Sequence, residues 1–203
     1  MSHIALIGAS GDAGSRILKE LSDRGHTVTA IARSPEKIAS LPNVTAQQGD
    51  ALDKEALVAL FKGHDAVVSA VKFGSSDPAI LIAAVKAAGV KRYLVVGGAG
   101  SLEIAPGQRL IDQPNFPDAY RPEASRGAAF LDLLKQERDL DWSFLSPSAE
   151  FVPGQRTGTF RLGKDTLLSN DKGSSISFED YAVALVDEIE NPAHSRQRFT
   201  VGY

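Results

Sequence analysis

The chain contains no cysteine, which excludes disulfides, thiolate nucleophiles and cysteine-ligated metal centres. Positive charge is not in excess: 22 Lys and Arg stand against 25 Asp and Glu, a net charge of −3. That balance gives no electrostatic footprint for a nucleic-acid partner or an anionic membrane surface. No apolar run reaches the roughly eighteen residues that a membrane span requires. The four histidines include no pair at metal-ligand spacing, so no metal is expected. His3, His26 and His64 precede or open strand-like runs and His194 follows Pro192, positions that read as structural. No charged leader precedes the first strand-like run, and a cytoplasmic location is the resulting expectation. No solenoid-length repeat or linker interrupts the 203 residues, a length that suits one well-cored domain over 1–203.

What is present is an alternation of two patterns. Ile4–Ile7, Val28–Ala32, Val44–Gln48, Ala66–Ala70, Tyr93–Val96 and Trp142–Leu145 are short runs rich in Val, Ile, Leu and Ala. They read as parallel strands covered on both faces. Between them lie segments with helical punctuation. Ala13, Ile17 and Leu21 recur at helical spacing before Gly25, and Asp53 can cap a helix that ends before Gly63. Asp77-Pro78 is a cap followed by a first-turn proline, with Gly89 as the stop; a longer helix is expected over Glu123–Glu137. Ser177-Phe178-Glu179-Asp180 resembles a capping box for a last helix that Asn191-Pro192 ends. Strand–helix alternation of this kind predicts an α/β fold, a doubly wound and mostly parallel Rossmann sheet with helices on both faces.

Two stretches break the alternation. Residues 97–121 carry Gly97, Gly98, Gly100, Pro106, Gly107, Pro114 and Pro117 with little periodicity. Residues 146–177 form a small insertion in which Thr157–Leu162 and Thr166–Ser169, around Gly163-Lys164-Asp165, read as a hairpin. Both follow strands and so begin at the carboxyl edge of the sheet, where open α/β sheets bind ligands. They are the expected substrate region.

The strongest local signal is the turn Gly8-Ala9-Ser10-Gly11-Asp12-Ala13-Gly14 directly after the first strand. Gly8 permits a tight bend, Gly11 a close approach to phosphate, and Gly14 the packing of helix on strand. The amides around Ser10, Asp12 and Ala13 open a helix, where a pyrophosphate is bound. About twenty residues on, an acid usually grips the ribose 2′-OH of NAD. Here Arg33 stands in that place, and a guanidinium can fork onto a 2′-phosphate. NADP(H) is therefore the expected cofactor, with NAD(H) use left open. Asp50 and Ala51, after the third strand, are candidates for the adenine, although an aspartate there also suits a plain turn. Ser69, Ala70 and Val71 end the fourth strand on the expected path of the ribose and nicotinamide.

Taken together, Gly8-x-x-Gly11-x-x-Gly14, Arg33, Gly49-Asp50-Ala51-Leu52-Asp53 and Val95-Val96-Gly97-Gly98-Ala99-Gly100-Ser101-Leu102 resemble the atypical short-chain dehydrogenase/reductases. The likeness is to their NADH–flavin reductase-like members, and more distantly to biliverdin-IXβ/flavin reductases and NmrA-like regulators. Ser146-Pro147, Phe178-Glu179-Asp180-Tyr181-Ala182 and Gln197-Arg198-Phe199-Thr200-Val201 belong to the same likeness, which covers essentially the whole chain. It extends the cofactor site to Gly97. It also carries a departure: conventional members use Tyr-x-x-x-Lys, whose lysine lowers the tyrosine pKa, whereas Tyr120 is followed at that spacing by Ala124.

The resemblance implies hydride transfer from NADPH to a small flavin-like or quinone-like acceptor, for which stacking and orientation matter most. Ser101 and Tyr120 are the candidate catalytic residues, with Ser148, Glu150 and Phe151 as further pocket lining. A non-catalytic NADP(H)-responsive regulator is the competing reading, and an epimerase or dehydratase a third. Neither a nucleic acid nor a membrane is expected as a partner, and the chain is read as a monomer or homodimer.

Overall fold

The computed structural model describes residues 1–203. In chain order the elements are β1 (His3–Ile7), α1 (Asp12–Asp23), β2 (Thr27–Ala32), β3 (Val44–Gln48), α2 (Lys54–Phe61), β4 (Ala66–Ser69), α3 (Pro78–Ala87) and β5 (Arg92–Val96). There follow β6 (Glu103–Ala105), β7 (Gln108–Arg109), α4 (Arg121–Gln136), β8 (Asp141–Pro147), β9 (Glu150–Val152), β10 (Arg161–Gly163), β11 (Ser175–Ser177), α5 (Phe178–Glu190) and β12 (Gln197–Gly202). One eight-stranded sheet has the order β10-β12-β8-β5-β4-β1-β2-β3. All its pairings are parallel except that of β10 with β12. The chain winds outward from β1 to β3, then returns to place β4 on the other side of β1. The strand order therefore reverses between β1 and β4.

The apolar strands divide their side chains between two layers because successive residues point to opposite faces. Ala5, Ile7, Val67, Tyr93, Val95, Trp142 and Phe144 meet α2, α3 and α4 on one face. Ile4, Leu6, Val68, Leu94, Leu145 and Phe199 meet α1 and α5 on the other. The helix signals act as read: Asp53 and Asp77 accept from the amides of Ala56 and Ala79 at 3.0 and 2.8 Å. Ser177 Oγ likewise accepts from the Asp180 amide at 2.9 Å. The return bond of a capping box is not made, because the Asp180 carboxylate is engaged elsewhere.

Two expectations are corrected. Val44–Gln48 is not a covered strand; β3 is the sheet edge, and its last four residues are exposed, consistent with the polar Gln47 and Gln48. The hairpin around Gly163-Lys164-Asp165 does not form. Arg161–Gly163 instead runs antiparallel to β12, covering an edge that would otherwise leave backbone groups unpaired. Asp165 prevents the chain from folding back: Arg198 donates to its carboxylate at 2.6 and 2.8 Å. Its carbonyl accepts from the Glu103 amide at 2.8 Å, so Leu167 is carried across to bond Glu103 instead. The seventh parallel strand, β12, is not among the six strand-like runs and enters the sequence reading only through the family likeness.

The insertion is held down from α5. Asp180 is completely buried. Its carboxylate accepts from the amides of Thr157 and Gly158, both at 2.8 Å, from Thr157 Oγ1 at 2.6 Å and from Tyr203 Oη at 2.7 Å. Glu179 accepts from the Gly154 amide at 2.8 Å, and Arg156 pairs with Glu20 on α1 at 2.7 Å. The Arg156 hydrogen bond holds the Glu20 carboxyl below its ordinary range, against the opposing effect of burial. Because charge-assisted bonds to a buried acceptor are costly to lose, Asp180→Ala is expected to destabilise the fold by roughly 2–4 kcal/mol. Urea denaturation measures this, and limited proteolysis should cleave preferentially within residues 153–158.

Candidate functional site

At the carboxyl edge, beside the reversal between β1 and β4, the Gly8–Gly14 turn opens a cleft of about 200 Å³. The turn is fixed from two sides. The Gly8 amide donates to the Ile31 carbonyl of β2 at 2.9 Å, and the Ala70 amide after β4 donates to the Ile7 carbonyl at 2.8 Å. Gly8 has φ +86°, and a Cβ there would lie 2.5 Å from the Ala70 carbonyl oxygen; only glycine fits both demands. At Gly14 a Cβ would lie 2.0 Å from the Gly8 oxygen, so α1 seats directly on the turn. Gly11 differs. A Cβ there would meet only the Gly8 and Ala70 oxygens, at 3.3 and 3.9 Å, and otherwise points into open space.

This geometry leaves donors without partners. Gly11 is the N-cap of α1 and supplies no side-chain cap. The Gly11 amide is used by Gly8 at 3.0 Å, while those of Ser10, Asp12, Ala13 and Gly14 bond to no protein acceptor. Free amides at a helix start, with the positive end of its dipole behind them, form an anion site. Gly8, Ser10, Gly11, Arg33, Asp50, Ala51, Ala70 and Val71 line the cleft, joined by Lys72 and Ser75. Neither Arg33 nor Lys72 is spent on a carboxylate. Asp50 accepts from the Leu52 amide at 2.9 Å through one carboxylate oxygen, the turn role that its position also suggested. The residues therefore fit the pyrophosphate of a nicotinamide dinucleotide.

A second pocket of about 500 Å³ lies along the same edge, beyond β5 and β8. Phe73, Phe116, Tyr120 and Phe151 provide its aromatic walls, and Gly97, Asn115, Ser148 and Glu150 also line it. Glu123, in the first turn of α4, ties the pocket to the cleft. Its two carboxylate oxygens accept from the amides of Phe73 and Gly74 at 2.7 and 2.8 Å, and Arg126 donates to the Gly74 carbonyl at 3.0 Å. The segment from Lys72 to Ser75 thus forms a wall common to both cavities. A larger groove, about 680 Å³ between α3 and α4, has Lys86, Gln136 and Glu137 as its only polar side chains. Lys86 is already paired with Glu137 at 3.1 Å, so the groove presents no reactive group.

The remaining sequence candidates are placed as follows. Ser69 is buried within β4 and lines neither cavity. Gly97 belongs to the second pocket, and its lack of a side chain is demanded by packing: a Cβ would lie 2.3 Å from the Phe144 ring. Tyr120 stands immediately before α4, exposed and facing the second pocket, with Ala124 on the same wall. Ser101 is not brought there; its hydroxyl accepts from Arg198 at 3.2 Å. Of the histidines, His26 faces Glu190 at 3.0 Å, His64 faces Thr29 Oγ1 at 2.8 Å, and His194 faces Glu188 at 2.7 Å. Lys72, Ser75, Phe73, Asn115, Phe116 and Glu123 were missed by sequence reasoning. For the first three, the available signal was their position just beyond β4.

Comparison with known proteins agrees with this geometry. A family profile described as NAD(P)H-binding matches residues 8–192. The uncharacterized protein YwnB of Bacillus subtilis is 44% identical over 98% of this chain and 97% of its own length. The structure of a candidate epimerase from Bacteroides thetaiotaomicron is 44% identical, with a TM-score of 0.94 over 99% of this chain and 96% of that one. A candidate NADH-flavin reductase from Streptococcus pneumoniae is 37% identical, with a TM-score of 0.83 over 100% and 99% of the two chains. The free amides at the start of α1, the cleft beside β1 and β4, and a profile match spanning nearly the whole fold lead to one conclusion: this chain belongs to the NAD(P)H-binding family of Rossmann-fold proteins.

Proposed function

We propose that the protein is an NADPH-preferring oxidoreductase that reduces a flat flavin-like or quinone-like acceptor held in the aromatic second pocket. The observation that carries this reading is the juxtaposition of the two cavities across the Lys72–Ser75 segment; Ala124 at the lysine position of Tyr-x-x-x-Lys supports it. Support also comes from the Streptococcus relative, whose name describes an NADH-flavin reductase. When bound, reduced nicotinamide supplies a hydride, two electrons and one proton, and the acceptor completes its reduction with a second proton from water.

The chain's own residues bind, orient and shield. The Ser10, Asp12, Ala13 and Gly14 amides would hold the pyrophosphate, and Arg33 the adenosine 2′-phosphate through a forked contact. Lys72, on the shared wall, adds a second positive charge to the cleft. The exposed Tyr120 would offer a face on which a planar ring can stack, with the pocket sides of Phe116 and Phe151 as further wall. Arg121 lies over the Phe116 ring, and Phe151 is backed by Phe178 and Tyr181. Glu123 fixes the wall that sets the distance between the two ligands. Tyr120 remains accessible to solvent, so proton delivery from water needs no buried relay. With Ala124 in the lysine position, the chain lacks the Tyr-x-x-x-Lys spacing used in alcohol–ketone chemistry.

Two measurements test the reading. Arg33→Ala is expected to weaken NADPH binding about tenfold to a hundredfold while leaving NADH binding within twofold, since one charge-assisted fork is worth roughly 1.5–3 kcal/mol. Equal losses for both nucleotides in a calorimetric titration would contradict the 2′-phosphate role. Steady-state NADPH oxidation should be stimulated by riboflavin or a simple benzoquinone. Tight NADPH binding without stimulation by any such acceptor would instead favour the regulatory reading.

A further inference from the structure

The second pocket lacks one kind of group entirely. Its lining includes two carboxylates, Glu123 and Glu150, but no lysine, arginine or histidine. The cations nearby are committed elsewhere. Arg121 donates to the Ile111 and Phe116 carbonyls at 2.7 and 3.1 Å and pairs with Asp118 at 3.3 Å, which fixes the loop that forms the pocket's outer wall. Arg126 donates to Gly74, and Arg198 is buried against Asp165 and Ser101. Lys72 and Arg33 line the neighbouring cleft, where the negative charge of a dinucleotide is to be met. Of the two carboxylates, Glu123 is satisfied by two backbone amides. Glu150 is exposed, its backbone is paired with β11, and its carboxylate has no cationic or hydrogen-bonding partner.

Resting on the acceptor role proposed above, we infer that this pocket takes planar rings that are neutral or cationic and discriminates against those with a phosphate or other anionic arm. Ring binding needs only the stacking faces of Phe116, Tyr120 and Phe151. A phosphate brought to the same place faces the free Glu150 carboxylate, and the guanidinium beside it, that of Arg121 over the Phe116 ring at 5.4 Å, is already held by the Ile111 and Phe116 carbonyls and by Asp118. An unpaired like charge is a repulsive element of the kind that generates specificity. Riboflavin and lumiflavin are then better acceptors than FMN, although all three have the same isoalloxazine ring. Likewise an uncharged naphthoquinone is better than its sulfonate. Redox balance is the same within each pair: one hydride from the reduced nicotinamide and one proton from water enter the ring, so any difference reports the arm.

The test compares kcat/KM for riboflavin and FMN with NADPH, alongside quenching of flavin fluorescence on titration with the NADP⁺-loaded protein. The expected result is a preference for riboflavin of about tenfold or more in both readouts. Glu150→Lys should reduce that preference severalfold, chiefly by improving FMN. Equal or better use of FMN by the unaltered protein would overturn the inference while leaving the acceptor role intact. If neither flavin nor either quinone is reduced, the acceptor role itself fails; quenching that shows no preference, or no flavin binding at all, then overturns this inference independently.

Discussion

The fold depends at its centre on one close approach, that of α1 onto the turn leaving β1. Gly14 lies so near the Gly8 carbonyl that no side chain fits between them, and Gly8 is similarly pressed against the backbone after β4. The two contacts bring the start of the helix to the point where the sheet reverses direction. That location has a chemical consequence. Four amides emerge there with no acceptor in the protein, while β2 and β4 fix the turn from either side. A buried orphan donor is costly, and the Ser10 amide, on a residue that lines the cleft, is available for a ligand.

The second cavity is related to the first through a short stretch of chain. Residues 72–75 border both, and Glu123 at the beginning of α4 holds their amides with both carboxylate oxygens. This divides the labour between the two sites. The nucleotide side has free positive charge and free amides, whereas the other side has aromatic faces, small residues and a free carboxylate. The contrast in charge sets the two cavities apart. The C-terminal half contributes by restraint: Asp180 anchors the loop at Thr157 and Gly158, and Arg198 anchors Asp165.

Much of this was legible in the residues. Asp53, Asp77 and Ser177 cap the helices at the positions their side chains indicate. The strands around β1 are apolar because both faces are covered, so their pattern disclosed the doubly wound order. Val44–Gln48 was grouped with the covered apolar strands although only Val44 and Ala46 are apolar; Gln47 and Gln48 are the signature of an edge. The hairpin at Gly163 failed for a different reason. Its fate was decided by Arg198, over thirty residues away, which holds Asp165, and local turn chemistry contains no trace of that bond. In the site, Gly8, Gly11 and Arg33 announce themselves by spacing from a strand. Glu123 does not, because its partners are backbone amides fifty residues earlier, and a backbone amide has no sequence signature. Ser101 stood within a recognisable motif, yet its hydroxyl is directed to Arg198.

The central claim is that the α1 N-terminus is shaped for a dinucleotide's pyrophosphate, and Gly11 isolates that claim from folding. A side chain at Gly8 or Gly14 collides with backbone, whereas one at Gly11 enters the open cleft with only a few tenths of an ångström of adjustment. Aspartate there is also an acceptable helix N-cap. The decisive measurement is calorimetric titration of Gly11→Asp with NADPH, accompanied by its thermal denaturation. The account predicts a melting temperature within a few degrees of the unaltered protein and NADPH binding weakened by roughly a hundredfold or more. Retained NADPH affinity in the folded variant would contradict it.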